Sequence, residues 1–269
     1  MKRPSRAGGR VAAALAAPAP EAGWGMPRDV SEHGVLIDRL IHTTTWFIVA
    51  LFSIMVVWML WACFRHGRKH EAQYDHGTGK RAPIMALGIA AFVFFVVDGN
   101  LFVNSTLGMG NVMWNFAAAE AAPDAVRIEL NAHCWAWDAR YAGPDGKFGT
   151  ADDIVTLNDI RVPKGSPVIF QIAATDVIHS FYVPNLRIKT DAVPGTINWA
   201  WFRATATGEF EIACAQHCGT NHYKMRGVLT VLERPAFDRW AAETSANAVK
   251  AFDPKDAGAH WGWEWRPVK

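Results

Sequence analysis

The chain has 269 residues, of which 51% are hydrophobic and 19% are charged, and its formal net charge is +2 at neutral pH. This length accommodates one large domain, or a smaller domain joined to membrane segments. A net charge this small, with no basic cluster among aromatic residues, argues against nucleic acid as a partner.

The N-terminal segment, residues 1–38, starts with basic residues and continues into a short alanine-rich run and an Ala-Pro repeat. A basic start, a short apolar run and small residues after that run are typical of a secretory signal peptide. A disordered terminus is the alternative, and the sequence assigns no cleavage site.

Residues 39–116 contain two apolar runs, which predict a transmembrane α-helical hairpin. The runs cover about residues 44–64 and 83–103, and about twenty apolar residues suffice to cross a bilayer as a helix. Basic residues flank the loop at 65–81, and the positive-inside rule places that loop in the cytoplasm. The long C-terminal part is then outside. The basic N-terminus would also lie outside, against the rule, unless it is removed as a signal peptide.

Asp98 lies near the outer end of the second apolar run. An ionisable residue in a membrane span is a functional candidate by default. Its position favours a structural role instead, at the interface, in a local hydrogen bond with Asn100 or against a partner subunit.

Residues 117–125 are a predicted connector, and residues 126–234 carry short apolar runs separated by Gly, Pro and Asn/Asp turns. Apolar and polar residues alternate over 126–137, which is the periodicity of a strand. One face is expected to bury small apolar groups, and the other to present Trp135 and Trp137 to solvent or to a partner. Further strand-like runs cover 154–162, 168–173, 198–204, 209–213 and 227–232. Short strands at this spacing indicate an antiparallel sandwich.

The loop at residues 143–153 clusters acidic residues and glycines. Carboxylate oxygens on a bent backbone can bind Ca²⁺. A plain hairpin loop with solvated acids is the commoner case and is the favoured interpretation.

The segment at residues 214–225 combines two cysteines, two histidines and a methionine. Thiolate and thioether sulfur select copper over hard cations, and imidazole also suits copper. One cysteine suffices for a mononuclear blue-copper site, whereas two thiolates can bridge two coppers. A disulfide between Cys214 and Cys218 is the alternative in an oxidising compartment, but it leaves the nearby His and Met unexplained.

A dinuclear site also needs a terminal imidazole for each copper. His222 lies in the segment itself, whereas His217 stands between the two cysteines and is expected to point away. His179, in the apolar-flanked stretch at 176–184, is the better second candidate.

Residues 235–269 form a tryptophan-rich tail. The i, i+3, i+4 spacing of Phe237, Trp240 and Ala241 predicts a helix with one apolar stripe. His260 is expected at the surface and not as a metal ligand.

Together these motifs resemble subunit II of the haem-copper cytochrome c oxidases, the subunit that carries the CuA centre. The segments that follow the family pattern in order are the membrane hairpin, His133–Trp137, Asp176–Pro184, Leu186–Gly195, the cysteine segment and Gly227–Leu232. The resemblance implies a transmembrane hairpin followed by an all-β, cupredoxin-like Greek-key sandwich, a topology that periodicity alone does not single out.

The resemblance implies six copper ligands: the bridging thiolates of Cys214 and Cys218, the imidazoles of His179 and His222, and, as weak ligands, the Met225 thioether and the Gln216 backbone carbonyl. Trp135 is implied as the point where the electron from cytochrome c enters, and Trp137 is expected to pack within the sandwich. Asp138 and Asp176 are expected to attract a basic cytochrome c.

Two positions depart from the family pattern. Family members commonly have Glu at position 216, whose carboxylate binds Mg²⁺ at the contact with subunit I. Gln216 is a poorer ligand for that hard cation, so a magnesium site is in doubt. Cys134 stands where the family usually has Gln, and it is either an extra thiol near the electron entry or a small buried side chain.

The implied function is to accept electrons from cytochrome c and pass them through CuA to haem in subunit I, where O₂ is reduced to water and protons are pumped. The sequence has no Cys-x-x-Cys-His motif for covalent haem, so oxygen chemistry is expected in subunit I. Subunit III is a further expected partner. The implied location is a bacterial inner membrane, with two spans and a periplasmic CuA domain.

Other functions explain fewer residues. A membrane-anchored copper chaperone, a thiol reductase or a structural zinc site would leave Met225 without a role. A nitrous-oxide-reductase-like enzyme needs a further large domain with many histidines. A quinol-oxidising relative would lack the copper ligands that are present here.

Overall fold

The computed structural model describes residues 26–71, 74, 76, 79–253 and 255. The predicted signal peptide and the tryptophan-rich end of the tail, with His260, lie outside the described residues. The chain divides into two compact units. One is Val35–Asn115, and the other is Phe116–Lys269 together with the residues up to Gly34.

The first unit is helical, and its elements match the two predicted membrane spans. Helix α1 is Gly34–Arg65. The second stretch, Arg81–Glu120, consists of α2 (Arg81–Phe92), a π-helical segment (Val93–Asp98), α3 (Gly99–Gly108), a second π-helical segment (Met109–Met113) and, after a break at Trp114 and Asn115, α4 (Phe116–Glu120). Helix α4 belongs by sequence range to the second unit. Both stretches are long and apolar enough to cross a membrane.

Large apolar side chains on both helical stretches are exposed, as helices that face lipid or partner subunits require. Trp46, Phe64 and Phe95 are each more than two-thirds exposed. Asp98 ends the first π-helical segment and is exposed. Asn100, its suggested partner, accepts a hydrogen bond from Asn104 through its backbone carbonyl.

The second unit is a sandwich of two five-stranded sheets. Its strands are β1 (Val126–His133), β2 (Ala136–Tyr141), β3 (Ile154–Leu157), β4 (Asp159–Pro163), β5 (Pro167–Ala174), β6 (His179–Val183), β7 (Ile188–Ala192), β8 (Asn198–Arg203), β9 (Gly208–Cys214) and β10 (Arg226–Leu232). The strand orders are β3-β2-β1-β5-β8 and β4-β10-β9-β6-β7.

The sheets are mixed, and this corrects the prediction of an antiparallel sandwich. The pairs β1–β5 and β4–β10 are parallel, while the other strand pairs are antiparallel. Parallel neighbours arise because consecutive strands cross between the sheets and return beside a strand that is distant in sequence. The cupredoxin-like architecture itself is as expected.

Two of the predicted strand runs are each interrupted. The run at 154–162 divides at Asn158, which has a positive φ of 56°, so that β3 joins one sheet and β4 the other. The run at 126–137 divides at Cys134 and Trp135, which turn the chain from β1 into β2. Strands β6 and β7 were not among the predicted runs.

The core lies between the two sheets, where aromatic side chains from both inner faces meet. Phe170, Phe181 and Phe202 have no exposed surface, and the Phe181 ring lies 5.2 Å from Phe170 and 5.6 Å from Trp137, centre to centre. This packing fixes the ends of the strands that carry the metal-binding segment.

Two further segments cover the sandwich. Helix α5 (Arg234–Ala251) buries Phe237 and packs Trp240 against Tyr141, which agrees with the predicted apolar stripe. At the other terminus, Val30 donates its N–H to the Asn185 carbonyl at 2.8 Å. This N-terminal contact was not predicted.

Candidate metal centre

The donor residues meet at one end of the sheet that contains β6, β9 and β10. Strand β9 ends at Cys214, and the Cys214 N–H donates to the Met225 carbonyl at 3.2 Å, which closes the segment 214–225 as a hairpin loop. Ala215 donates to the Ser180 carbonyl at 2.9 Å, one residue after His179. The backbone therefore brings His179 to the loop, and we call residues 214–225 the cysteine loop.

The two thiols stand side by side in this loop. Their Sγ atoms are 3.8 Å apart, and both cysteines are free thiols. Cys218 Sγ lies 3.5 Å from His222 Nδ1, and Cys214 Sγ lies 3.2 Å from the Gln216 carbonyl oxygen. Four of the predicted donors thus converge from within the loop.

The remaining two donors are Met225, at the end of the loop, and His179, on β6, and both lie beside the thiols. Met225 Sδ is 3.8 Å from Cys218 Sγ and 3.1 Å from His179 Nδ1. The ligand atoms of His179, Cys214 and Cys218 all lie within 4.8 Å of one another. All six predicted ligands are therefore brought to one place.

Burial controls the protonation of the loop. Cys218 is 6% exposed, and burial, with the neighbouring Cys214 thiol, raises the Cys218 pKa to about 12. Without a metal this thiol therefore keeps its proton at neutral pH, and metal binding must release it.

Asp176 orients His179, a role that the sequence analysis missed. Its Oδ1 lies 2.8 Å from His179 Nε2, and a carboxylate behind an imidazole fixes both the tautomer and the ring orientation. Burial alone would raise the Asp176 pKa, but hydrogen bonds from Cys134, His179 and the Val177 N–H hold it well below its usual range. The Asp-x-x-His spacing was the available signal.

The two tryptophans of the β1–β2 hairpin occupy different environments. Trp135 is 36% exposed, and its Nε1–H donates to the Cys218 carbonyl at 3.3 Å. Trp137 has no exposed surface and packs edge-on against Phe181. The prediction that Trp137 packs within the sandwich is correct, and the placement of Trp137 on the exposed face by strand alternation is wrong, because the β1–β2 turn at Cys134 and Trp135 interrupts that alternation.

Other predicted residues are placed away from the donors or are used differently. His217 is exposed, as expected for a residue that points away from the buried thiols. Asp138 is buried and lies 3.0 Å from His133 Nε2, and burial raises its pKa. The prediction that Asp138 offers a surface charge to a partner is therefore wrong, because β2 places it inside the hairpin.

The loop at 143–153 holds its carboxylates in local hydrogen bonds. Asp145 Oδ1 accepts the Lys147 N–H at 2.8 Å, and Asp153 Oδ2 accepts the Gly149 N–H at 2.6 Å. Within the described part of the chain, the donor groups compact enough for a metal are His179–Cys214–Cys218 and Cys134–Asp176–His179, and neither includes this loop.

The donor set of the cysteine loop suits copper. Two thiols and a thioether are soft ligands and two imidazoles are borderline ligands, so the one carbonyl oxygen is the only hard donor in the set, whereas hard cations prefer carboxylate-rich sites. The residues therefore fit the copper expected from the sequence.

Comparisons with known proteins agree with this site. Residues 128–232 match the family described as cytochrome c oxidase subunit II, periplasmic domain. The alternative cytochrome c oxidase subunit 2 of Bradyrhizobium diazoefficiens is 30% identical over 226 residues, which cover 76% of this chain and 78% of that protein. The chain belongs to the cytochrome c oxidase subunit II family. This membership confirms the resemblance seen in the sequence.

Other relatives align over less of this chain. Cytochrome c oxidase subunit 2 of Alkalihalophilus pseudofirmus is 34% identical over 146 residues, covering 52% of this chain and 40% of that protein. A crystal structure of the periplasmic domain of cytochrome oxidase subunit II from Bradyrhizobium japonicum covers 45% of this chain and 94% of its own, with 27% identity and a TM-score of 0.41.

Family membership carries three general consequences. A subunit II contains copper, belongs to an oxidase complex with other subunits, and is part of an enzyme whose catalysis lies in subunit I. The two membrane-capable helices and the match to a periplasmic domain fit an inner-membrane protein.

Proposed function

We propose that this subunit accepts electrons from cytochrome c at a dinuclear CuA centre and passes them to haem in subunit I, for reduction of O₂ to water coupled to proton pumping. The observation that carries the proposal is the convergence of six donors, three of them sulfur, beside an exposed tryptophan that is hydrogen-bonded to one of the donor residues. Neither a chaperone nor a thiol reductase requires all six.

The proposed ligands are Cys214 and Cys218 as bridging thiolates, His179 and His222 as terminal imidazoles, and Met225 and the Gln216 carbonyl as weak ligands. When bound, the copper pair supplies one-electron redox chemistry. Burial of both thiols and of Met225 shields the three sulfur donors from water, which supports a site for electron transfer and not for substrate.

Asp176 prepares His179 for this role. The Asp176 carboxylate accepts a hydrogen bond from His179 Nε2, so the imidazole proton is assigned to Nε2. The lone pair is then on Nδ1, which faces Met225 and the thiols. The chain thus presents the correct nitrogen before metal arrives.

Trp135 is the proposed electron entry. Its ring is exposed to a partner on one side, and its indole N–H is bonded to the Cys218 carbonyl on the other. A soluble donor that contacts this ring is therefore separated from a thiolate ligand by one hydrogen bond and a few covalent bonds.

We further propose that the sandwich lies on the periplasmic side of a two-pass inner-membrane subunit that binds subunits I and III. The basic loop between the spans supports a cytoplasmic position for that loop. Gln216 has an exposed side chain but offers an amide where a carboxylate would bind Mg²⁺, so we propose no magnesium site here.

Electron paramagnetic resonance of the full chain in detergent, after copper loading, tests the centre. A hyperfine pattern from one electron shared equally by two copper nuclei is the expected result. A single-copper spectrum, or tight zinc binding without the shared-valence pattern, would overturn the proposal and favour a chaperone or a structural metal site.

Electron entry is tested separately with reduced cytochrome c and the copper-loaded chain. Trp135→Leu should slow electron uptake strongly and leave the copper spectrum intact. Trp199→Leu is the matched control, because Trp199 is also a partly exposed sandwich tryptophan, at 40%. Equal rates in the two variants would rule out Trp135 as the entry.

A further inference from the structure

We propose a second metal site on the outer side of His179, formed by Cys134 Sγ, the Asp176 carboxylate and His179 Nε2. These ligand atoms lie within 4.8 Å of one another. A thiolate, a carboxylate and an imidazole are all zinc ligands, and three protein ligands leave a fourth tetrahedral position for water. The cation class is therefore a borderline divalent ion, with Zn²⁺ as the representative.

The carboxylate of this site is held in place by the backbone. The N–H groups of Cys134 and Val177 donate to Asp176 Oδ2 and Oδ1 at 2.5 and 2.6 Å. His179 has no exposed surface, so its ring is fixed against the carboxylate. Two of the three ligands are thus positioned without a metal, which lowers the cost of binding one.

The thiol is the accessible ligand. Cys134 is exposed, and its Sγ lies 3.5 Å from the Cys218 carbonyl oxygen. A thiol is a weak donor and loses little when that contact is broken. A cation from solution can therefore reach Cys134 and Asp176 first and engage the buried imidazole behind them.

The two metal sites compete for one imidazole. His179 Nδ1 faces Met225 at 3.1 Å, and Nε2 faces Asp176 at 2.8 Å. A neutral imidazole has a lone pair on only one nitrogen. A cation on Nε2 moves the ring proton to Nδ1, so His179 can no longer serve as a ligand beside the cysteine loop. This competition rests on the proposed copper role of His179, whereas the outer site itself does not.

Cobalt binding tests the outer site independently of copper. In the full, metal-free chain carrying Cys214→Ser and Cys218→Ser, Co²⁺ should give a thiolate-to-cobalt absorption band that saturates at one equivalent. Adding Cys134→Ser should abolish the band, and adding Asp176→Asn should weaken binding by at least about tenfold. Cys63→Ser, in the membrane helix, is the matched control and should change nothing.

Absence of a saturating band, or a band that survives Cys134→Ser, would overturn the proposal. Near-ultraviolet circular dichroism establishes that each variant retains the sandwich. Because no copper is used, failure here is distinct from failure of the CuA proposal, which would appear as a missing shared-valence signal.

A second measurement uses the unmodified loop. Zinc added before copper should slow the appearance of the shared-valence signal severalfold in the native chain, and much less in Cys134→Ser. An equal effect of zinc on both proteins would place the zinc in the cysteine loop and would contradict an outer site.

Discussion

Two loops of the same sandwich are rich in metal-binding residue types, and they differ in how those residues are used. In the cysteine loop, donor atoms from five residues within the loop and from His179 point at one another. In the loop at 143–153, the Asp145 and Asp153 carboxylates accept backbone N–H groups, and Asp153 also lies 3.8 Å from Arg140.

The difference shows that residue type defines a candidate and that the convergence of several donors decides its use. The carboxylates at 143–153 accept local N–H and hydroxyl groups and belong to no compact donor group among the described residues, so they stabilise a turn. A buried thiol is a weak hydrogen-bonding group, so it remains available for a soft metal. The predictions below test this contrast.

Removing one bridging thiol should have the largest effect. Cys218→Ser is expected to abolish the two-copper signal, because a hydroxyl does not replace a thiolate as a bridge between soft ions. Copper content per chain and the paramagnetic spectrum measure the loss. Cys134→Ser, which lies outside the six proposed ligands, is the control and should keep two coppers. Retention of the shared-valence pattern in Cys218→Ser would contradict the ligand assignment.

Breaking the ion pair beneath the acidic loop should destabilise the sandwich without changing the copper. Arg140 and Glu129 are almost fully buried, and Arg140 Nε donates to Glu129 Oε2 at 2.8 Å. Arg140→Met removes the guanidinium partner of the buried Glu129 carboxylate, which should reduce the free energy of unfolding by about 3–5 kcal/mol. Chemical denaturation followed by tryptophan fluorescence measures this change.

The exposed pair Arg161–Asp159 provides the matched control. Its side chains are 37% and 42% exposed, and Arg161→Met should cost about 0–1 kcal/mol. Similar losses of unfolding free energy in the two variants would show that the buried ion pair contributes no more to stability than the exposed one. Loss of the copper spectrum in folded Arg140→Met would show that the acidic loop acts on the metal site.

The sequence predicted that the donors of the cysteine loop lie together because they are close in sequence. The apolar-flanked stretch around His179 predicted that residue as a ligand independently of the family resemblance, and the structure brings it beside Met225. The sequence analysis did not identify Asp176 as the partner of His179, nor the burial of Asp138. Both depend on which strands are neighbours, and hydrophobic periodicity does not determine strand order.

The strand predictions failed where the backbone changes direction. Asn158 adopts a positive φ and separates β3 from β4, and its Oδ1 accepts the Trp137 N–H at 2.9 Å. A single Asn in the sequence is a weaker indication of a chain reversal than Gly or Pro. Strand β6 was missed because it is short and begins at a polar histidine. Such boundaries are set by tertiary contacts and not by local propensity.

Replacing the weak sulfur ligand should have a smaller effect than replacing a bridge. Met225→Leu conserves side-chain volume at a position that is 1% exposed, so the free energy of unfolding should change by less than about 1.5 kcal/mol. We expect a dinuclear copper spectrum with altered hyperfine splitting. Leu229→Met, equally buried on β10, is the reverse control and should leave the spectrum unchanged. An unaltered spectrum in Met225→Leu would remove Met225 from the ligand set.

Calcium should produce the smallest effect, which is no change in the melting temperature of the sandwich. A cation at one hundred times its dissociation constant stabilises a folded protein by about 2.7 kcal/mol, so a real site at 143–153 would be readily detected. We expect none because Asp145, Asp152 and Asp153 belong to no compact donor group in the described part of the chain and instead accept local N–H and hydroxyl groups. A saturable rise with CaCl₂ that a chelator reverses and Asp152→Asn abolishes would show that local hydrogen bonds do not exclude a cation. The contrast between the two loops would then rest on ligand softness alone.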